Sequence, residues 1–192
     1  ADRRGRGYEL EPDSLQEGGG MGQAIDFQSL GLTEAIDMAL AIKEVAADRY
    51  SDLACQLELH GTEGAASVFW EMVRWEEEHS EMLWRRRQQA DDETPRRRWL
   101  DVPIDLDVSE LDSVRPFMPP HDALRIVIAC ETRIWEFYDR VLANIKNEEV
   151  IGLFRELRWD ENEHRQQLEC ELSALPPERF SAAEFADEPT PH

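Results

Sequence analysis

Four side chains of this sequence form two matched pairs, Glu76 with His79 and Glu161 with His164. Within each pair the residues are three apart, so both project from one face of a helix. Each pair interrupts a stripe that is otherwise apolar: Phe69, Met72 and Leu83 continue the first, Leu157 and Leu168 the second. Glu131 breaks a third such stripe, made of Leu124, Val127 and Ile134. A carboxylate on a core-facing stripe is costly unless it is paired or bound to metal. Five such groups on three facing stripes offset that cost together by surrounding a cation. Carboxylates suit hard ions such as iron or manganese, and each imidazole adds a nitrogen ligand. A lone E-x-x-H in a Glu-rich helix is more often a solvated face, and the first copy sits in the run E-E-E-H. Two copies on two helices, with Glu131 in phase, favour a metal-type site.

The elements that must position these groups are helical. Ile36, Leu40, Lys43, Ala47, Tyr50, Leu53 and Leu57 recur at three- and four-residue steps, and the period predicts a helix from Thr33, as N-cap, to Gly61. A second helix is expected from about Thr62 to Ala90. Residues 91–120 then hold Pro95, Pro103, Pro116, Pro119 and Pro120 with almost no helical period. So long a connector between helices points to a crossover along a bundle. A third helix is expected over 121–146. After a turn at Asn147 a fourth runs to Leu175, where Pro176 and Pro177 stop it. The fold class is therefore all-α, a four-helix bundle of two helical hairpins joined by a long crossover. The halves echo one another: R-Y-S-D-L-A at 49–54 answers F-Y-D-R-V-L at 137–142, and E-E-E-H at 76–79 answers E-N-E-H at 161–164. This reads as an internal repeat of a helix pair. The expected organisation is a flexible arm over 1–31, the bundle over 32–175 and a polar tail over 176–192.

Composition narrows the function. The 192 residues, enough for one domain with a sizeable core, carry 42 acidic against 21 basic side chains, a net charge of -21. A nucleic-acid binder needs a basic surface, so that class is excluded as an expectation. No apolar run is long enough to span a membrane, and the stretch ADRRGRGYEL lacks the apolar centre of a signal peptide. Met21 is a candidate natural start. The three cysteines, Cys55, Cys130 and Cys170, contain no C-x-x-C pair. A disulfide framework or a zinc ribbon is not expected, and a cytoplasmic or other reducing compartment is.

Several stretches resemble the rubrerythrin-like branch of the ferritin-like superfamily: IDFQSLGLTEAIDMALAIKE, AADRYSDLACQLELHG, FWEMVRWEEEH, VRPFMPPHDAL, ETRIWEFYDRVL and FRELRWDENEH. The resemblance covers about Ile25 to Leu175. It implies a ferritin-like bundle holding iron between its helices, with ferroxidase or peroxide-reducing activity, often in a homodimer or a subunit of a larger assembly. By position it implies Glu76, His79, Glu131, Glu161 and His164 as ligands, with Tyr50 and Tyr138 near the site. Relatives with peroxidase activity often carry a rubredoxin-like domain with two C-x-x-C pairs, which is lacking here, so an active protein needs an external electron donor. Storage of iron in a hollow cage is a weaker reading. The tryptophans Trp70, Trp75, Trp84, Trp99, Trp135 and Trp159 are expected as core and interface material, and the arginine runs at 85–87 and 96–98 as solvated or paired with acidic neighbours.

One position departs from the resemblance. A sixth ligand, a glutamate on the first helix, is implied. Glu131 lies two turns before Tyr138, and the same step back from Tyr50 lands on Lys43. Glu44, the obvious substitute, sits about 100° around the helix. Lys43 is expected to stay charged among three carboxylates, although burial opposes this. Four glutamates balance two divalent ions; three glutamates and an ammonium balance one. Three outcomes stay open at this point. The first is an oxidoreductase with one or two iron or manganese ions, Lys43 taking part in its site. In the second, Lys43 snorkels out past Ala39 and Ala47. The third is a metal-poor or metal-free structural or interaction subunit, with a Lys43–carboxylate network in place of the second metal.

Overall fold

The structure, a computed structural model, describes residues 25–90, 95–96 and 115–176. It contains four helices: α1 (Leu32–Leu59), α2 (Glu63–Ala90), α3 (Pro120–Leu142) and α4 (Glu148–Ala174), with no strand among the described residues. Helix α1 packs along α2 and α3 along α4, and the two hairpins join through α2 against α3 and α1 against α4. The all-α bundle expected from periodicity is the fold observed. No helix among the described residues is long and apolar enough to cross a membrane.

The helix ends follow local chemistry. Helix α1 starts at Leu32, with Gly31 rather than Thr33 as its N-cap, because the Glu34 carboxylate accepts from the Gly31 N–H at 3.4 Å. Gly61 closes it as expected. Its φ of 70° lies in the left-handed region, and the Thr62 N–H reaches back to the Leu57 carbonyl at 2.9 Å. The Thr62 hydroxyl accepts from the Phe117 N–H at 3.1 Å, tying the end of the crossover to the first hairpin's turn. Helix α3 ends at Leu142, short of the expected 146. Ile145 kept the apolar period going because it is buried, but it reaches the core from the turn that precedes Asn147. The Asn147 side chain then caps α4, accepting from the Glu149 N–H at 3.0 Å.

Residues 25–31 were expected to belong to a loose arm, yet they lie on the bundle. Leu30 is buried and Phe27 meets Phe137 edge-on, with ring centroids 6.3 Å apart. Three apolar side chains, Ile25, Phe27 and Leu30, dock that short stretch. Residues 1–24 and 177–192, the rest of the expected arm and nearly all of the tail, lie outside the described residues.

Helix α1 is unusual in its packing. Every residue from Ala35 to Lys43 is buried, so this half of the helix is enclosed on all sides. A helix with one wet face would let Lys43 snorkel outward. Here Ala39 is itself buried, and Lys43 has no route to water. The same stretch buries Asp37, which accepts from the Arg87 guanidinium at 2.8 Å and so pins α1 to the end of α2. Breaking a buried pair from one side costs about 3–5 kcal/mol. Arg87→Ala is therefore expected to lower the unfolding free energy by that order in urea titration, and the double change to apolar residues by much less.

Candidate metal centre

Each helix sends its polar residues to the same level of the bundle. Glu76, Glu131 and Glu161 are fully buried, as are Lys43, Tyr50 and Tyr138. Lys43 from α1 reaches between α2 and α4: its Nζ lies 2.8 Å from Glu76 Oε2 and 2.7 Å from Glu161 Oε1. Tyr50 donates to Glu131 Oε1 at 3.0 Å. His164 turns Nδ1 toward Glu131 Oε2 at 3.6 Å and Glu161 Oε2 at 4.0 Å. Those last three atoms are buried without a hydrogen-bond partner. Glu131, Glu161 and His164 each offer one ligand atom, all within 4.8 Å of one another.

These residues fit a cation. Two carboxylates and an imidazole converge with their lone pairs unused, and an unpaired buried acceptor carries the full cost of its desolvation. With all three buried glutamates ionised, one ammonium leaves two negative charges, the charge one divalent ion neutralises.

The electrostatics agree. Burial alone would lower the Lys43 pKa; the combined field of Glu161, Glu76 and Glu131 more than reverses this and holds it well above 10.5. Burial pushes Glu76 and Glu131 above the usual carboxylate range. It pushes Glu161 up to about 8, with Lys43 opposing and Glu131 adding to the rise. Burial lowers His164 against the pull of Glu161, and takes His79 down to about 3, so both rings favour the neutral form. Tyr50 and Tyr138 are both raised, burial being the leading cause, and stay protonated.

A pH dependence follows. The folded chain holds a proton on Glu161 that the unfolded chain releases at about 4.5. Stability without metal therefore falls as pH rises from about 4.5 through about 8. Lys43 contributes nothing to that slope, since its stabilisation is complete below 10.5. Metal affinity should rise over the same window as the ion displaces the proton. Urea midpoints at pH 5.5 and 8.5, paired with metal titrations in two buffers of different ionisation heat, measure both.

Most predicted site residues meet at this level: Lys43, Tyr50, Glu76, Glu131, Tyr138, Glu161 and His164. Tyr138 makes no hydrogen bond through its hydroxyl there. His79 comes alongside but stacks on His164 instead of joining the converging atoms. Glu44 is not part of the cluster. It points off the bundle axis and takes Arg96 in a two-pronged pair at 2.8 and 2.7 Å, with Arg96 lying 5.2 Å from the Trp84 ring. One residue's step around the helix explains the difference. Arg87 and Arg96, one from each arginine run, pair with acidic residues as expected, but spacing did not identify Asp37 and Glu44 as the partners.

A helical bundle with carboxylates and imidazoles at its centre defines a ferritin-like class of protein. Residues 34–172 match the family model described as Rubrerythrin, and the chain belongs to that family. A solved structure of an uncharacterised conserved protein from Magnetospirillum magnetotacticum MS-1 is similar at 25% identity and a TM-score of 0.59, covering 79% of this chain and all of that one. No curated protein matches the chain.

Proposed function

We propose that this rubrerythrin-family chain binds a single divalent ion, iron in preference, at Glu131, Glu161 and His164, and that Lys43 permanently takes the place of a second. The observation that carries this reading is the Lys43 ammonium, 2.8 Å from Glu76 and 2.7 Å from Glu161, where it bridges the two carboxylates as a metal would. Lys43 neutralises Glu76 and turns one oxygen of Glu161 away, leaving the other for the ion. Tyr50 fixes Glu131 by donating to its second oxygen. His164 supplies a neutral nitrogen.

Bound iron at such a site supplies one-electron exchange between the ferrous and ferric states with dioxygen or peroxide as oxidant. A two-electron reduction of peroxide would need a second electron from elsewhere, so an external one-electron donor is part of the proposal. The protein then acts as an iron-binding oxidoreductase of ferroxidase or peroxide-reducing type. The runner-up is a metal-free structural subunit, favoured by the two ion pairs Lys43 already makes. The unused lone pairs at Glu131, Glu161 and His164 favour the first.

Elemental analysis after anaerobic loading with ferrous iron, and separately with manganese, decides between them. The expected content is one ion per chain, with ferrous oxidation in air. Two ions would mean that Lys43 yields its place, and none would leave the structural subunit. Light scattering of the same sample tests the homodimer or larger assembly that the family suggests.

A further inference from the structure

The imidazole of His164 is held by rings from α2. Trp75 stacks on it with centroids 4.7 Å apart and planes 25° apart, and His79, one turn further along, stacks at 4.8 Å and 11°. Near-parallel rings at that separation fix the plane of an imidazole, and hence where its nitrogen points. The plane they impose aims His164 Nδ1 at Glu131 Oε2 and Glu161 Oε2. His79 has a buried Nδ1 with no hydrogen-bond partner, so no hydrogen bond at that atom sets its orientation. The ammonium of Lys43 already sits between the carboxylates His79 would join as a ligand, 2.8 Å from Glu76 Oε2 and hydrogen-bonded to Glu161 Oε1 at 2.7 Å.

We infer that His79 is a positioning residue and not a ligand: with Trp75 it clamps His164 by stacking, so that His164 presents its nitrogen to the ion. The inference rests on the single-ion reading above and deepens it. Lys43 and the stacked His79 belong together. Filling the first cation position with an amine removes the need for a nitrogen there and frees the ring to support the second position.

Phenylalanine keeps the ring and removes both nitrogens, which separates stacking from ligation. The experiment is titration with cobalt(II) alone, a redox-stable probe, read by ions bound per chain and by the cobalt absorption bands. His79→Phe should bind one cobalt with affinity within about threefold of the unaltered chain and with unchanged bands, whereas His79→Ala should weaken binding about tenfold or more, the size typical for loss of a ligand's support. Lys43→Glu should bind two ions, and Lys43→Glu/His79→Phe only one, since a rebuilt first position needs the nitrogen. If His79→Phe loses cobalt as fully as His79→Ala, His79 is a ligand and the inference fails, while the single-ion reading stands. If the unaltered chain binds no cobalt, the single-ion reading fails first and takes the positioning role with it. Should His79→Ala not fold, Trp75→Phe against Trp75→Leu makes the same comparison from the other stacked ring, with retention by phenylalanine alone as the supporting result and equal loss in both as the contrary one.

Discussion

Lys43→Glu is expected to double the metal content of the chain, from the one ion proposed to two. The new carboxylate enters at the level of Glu76 and Glu161, because position 43 is enclosed and its side chain has nowhere else to go. It replaces one positive charge by one negative. Four carboxylates at one level cannot all stay ionised in a buried site without two divalent ions. The variant should therefore depend on metal as the parent does not, with a midpoint in urea that climbs steeply when ferrous iron or cobalt(II) is added. Ions counted after gel filtration check the first half of this prediction, and denaturation with and without metal the second.

Lys43→Met is expected to cause a large loss of stability in the absence of metal. Methionine fills similar space, but Glu76 and Glu161 lose the ammonium at 2.8 and 2.7 Å. Removing one partner from a buried charge network costs about 3–5 kcal/mol. The sign with pH is fixed by the carboxylates, whose folded pKa values already lie above 4.5. Without Lys43 they rise further, so the variant regains stability as pH falls and they protonate. The parent's advantage should be small near pH 4.5 and large at pH 8, and it should persist until pH rises past 10.5, where the unfolded parent sheds the lysine proton that the folded parent keeps. Urea titrations at three pH values test this. Equal loss at all three would mean that Lys43 contributes packing alone.

Much of this arrangement is legible in the amino-acid order. The stripes through Phe69 and Met72, through Leu124 and Val127, and through Leu157 give the bundle, because helical period alone decides which faces meet. Polar residues on those stripes mark the centre, and the echo between the two helix pairs exposes Lys43 as the odd member. What is not legible depends on distances between segments far apart in sequence. Glu44 looked like a spare ligand because spacing says nothing of Arg96, which arrives from the crossover to claim it. Asp37 and Arg87 are fifty positions apart, and neither has a local signature of its partner. His79 carries the spacing of a ligand, yet ring-plane orientation depends on Trp75 and His164 together. Ile145 extended an apolar period past the true end of α3, because a turn residue can be as buried as a helical one.

On the proposed reading, a side-chain amine at the heart of the bundle stands in for an atom of metal. Anomalous diffraction from crystals of the unaltered chain grown with cobalt(II) looks at that spot directly. The account predicts one peak per chain, bounded by Glu131, Glu161 and His164, with the Lys43 nitrogen still seated between Glu76 and Glu161. A second peak in that seat, with the lysine swung away, would contradict it.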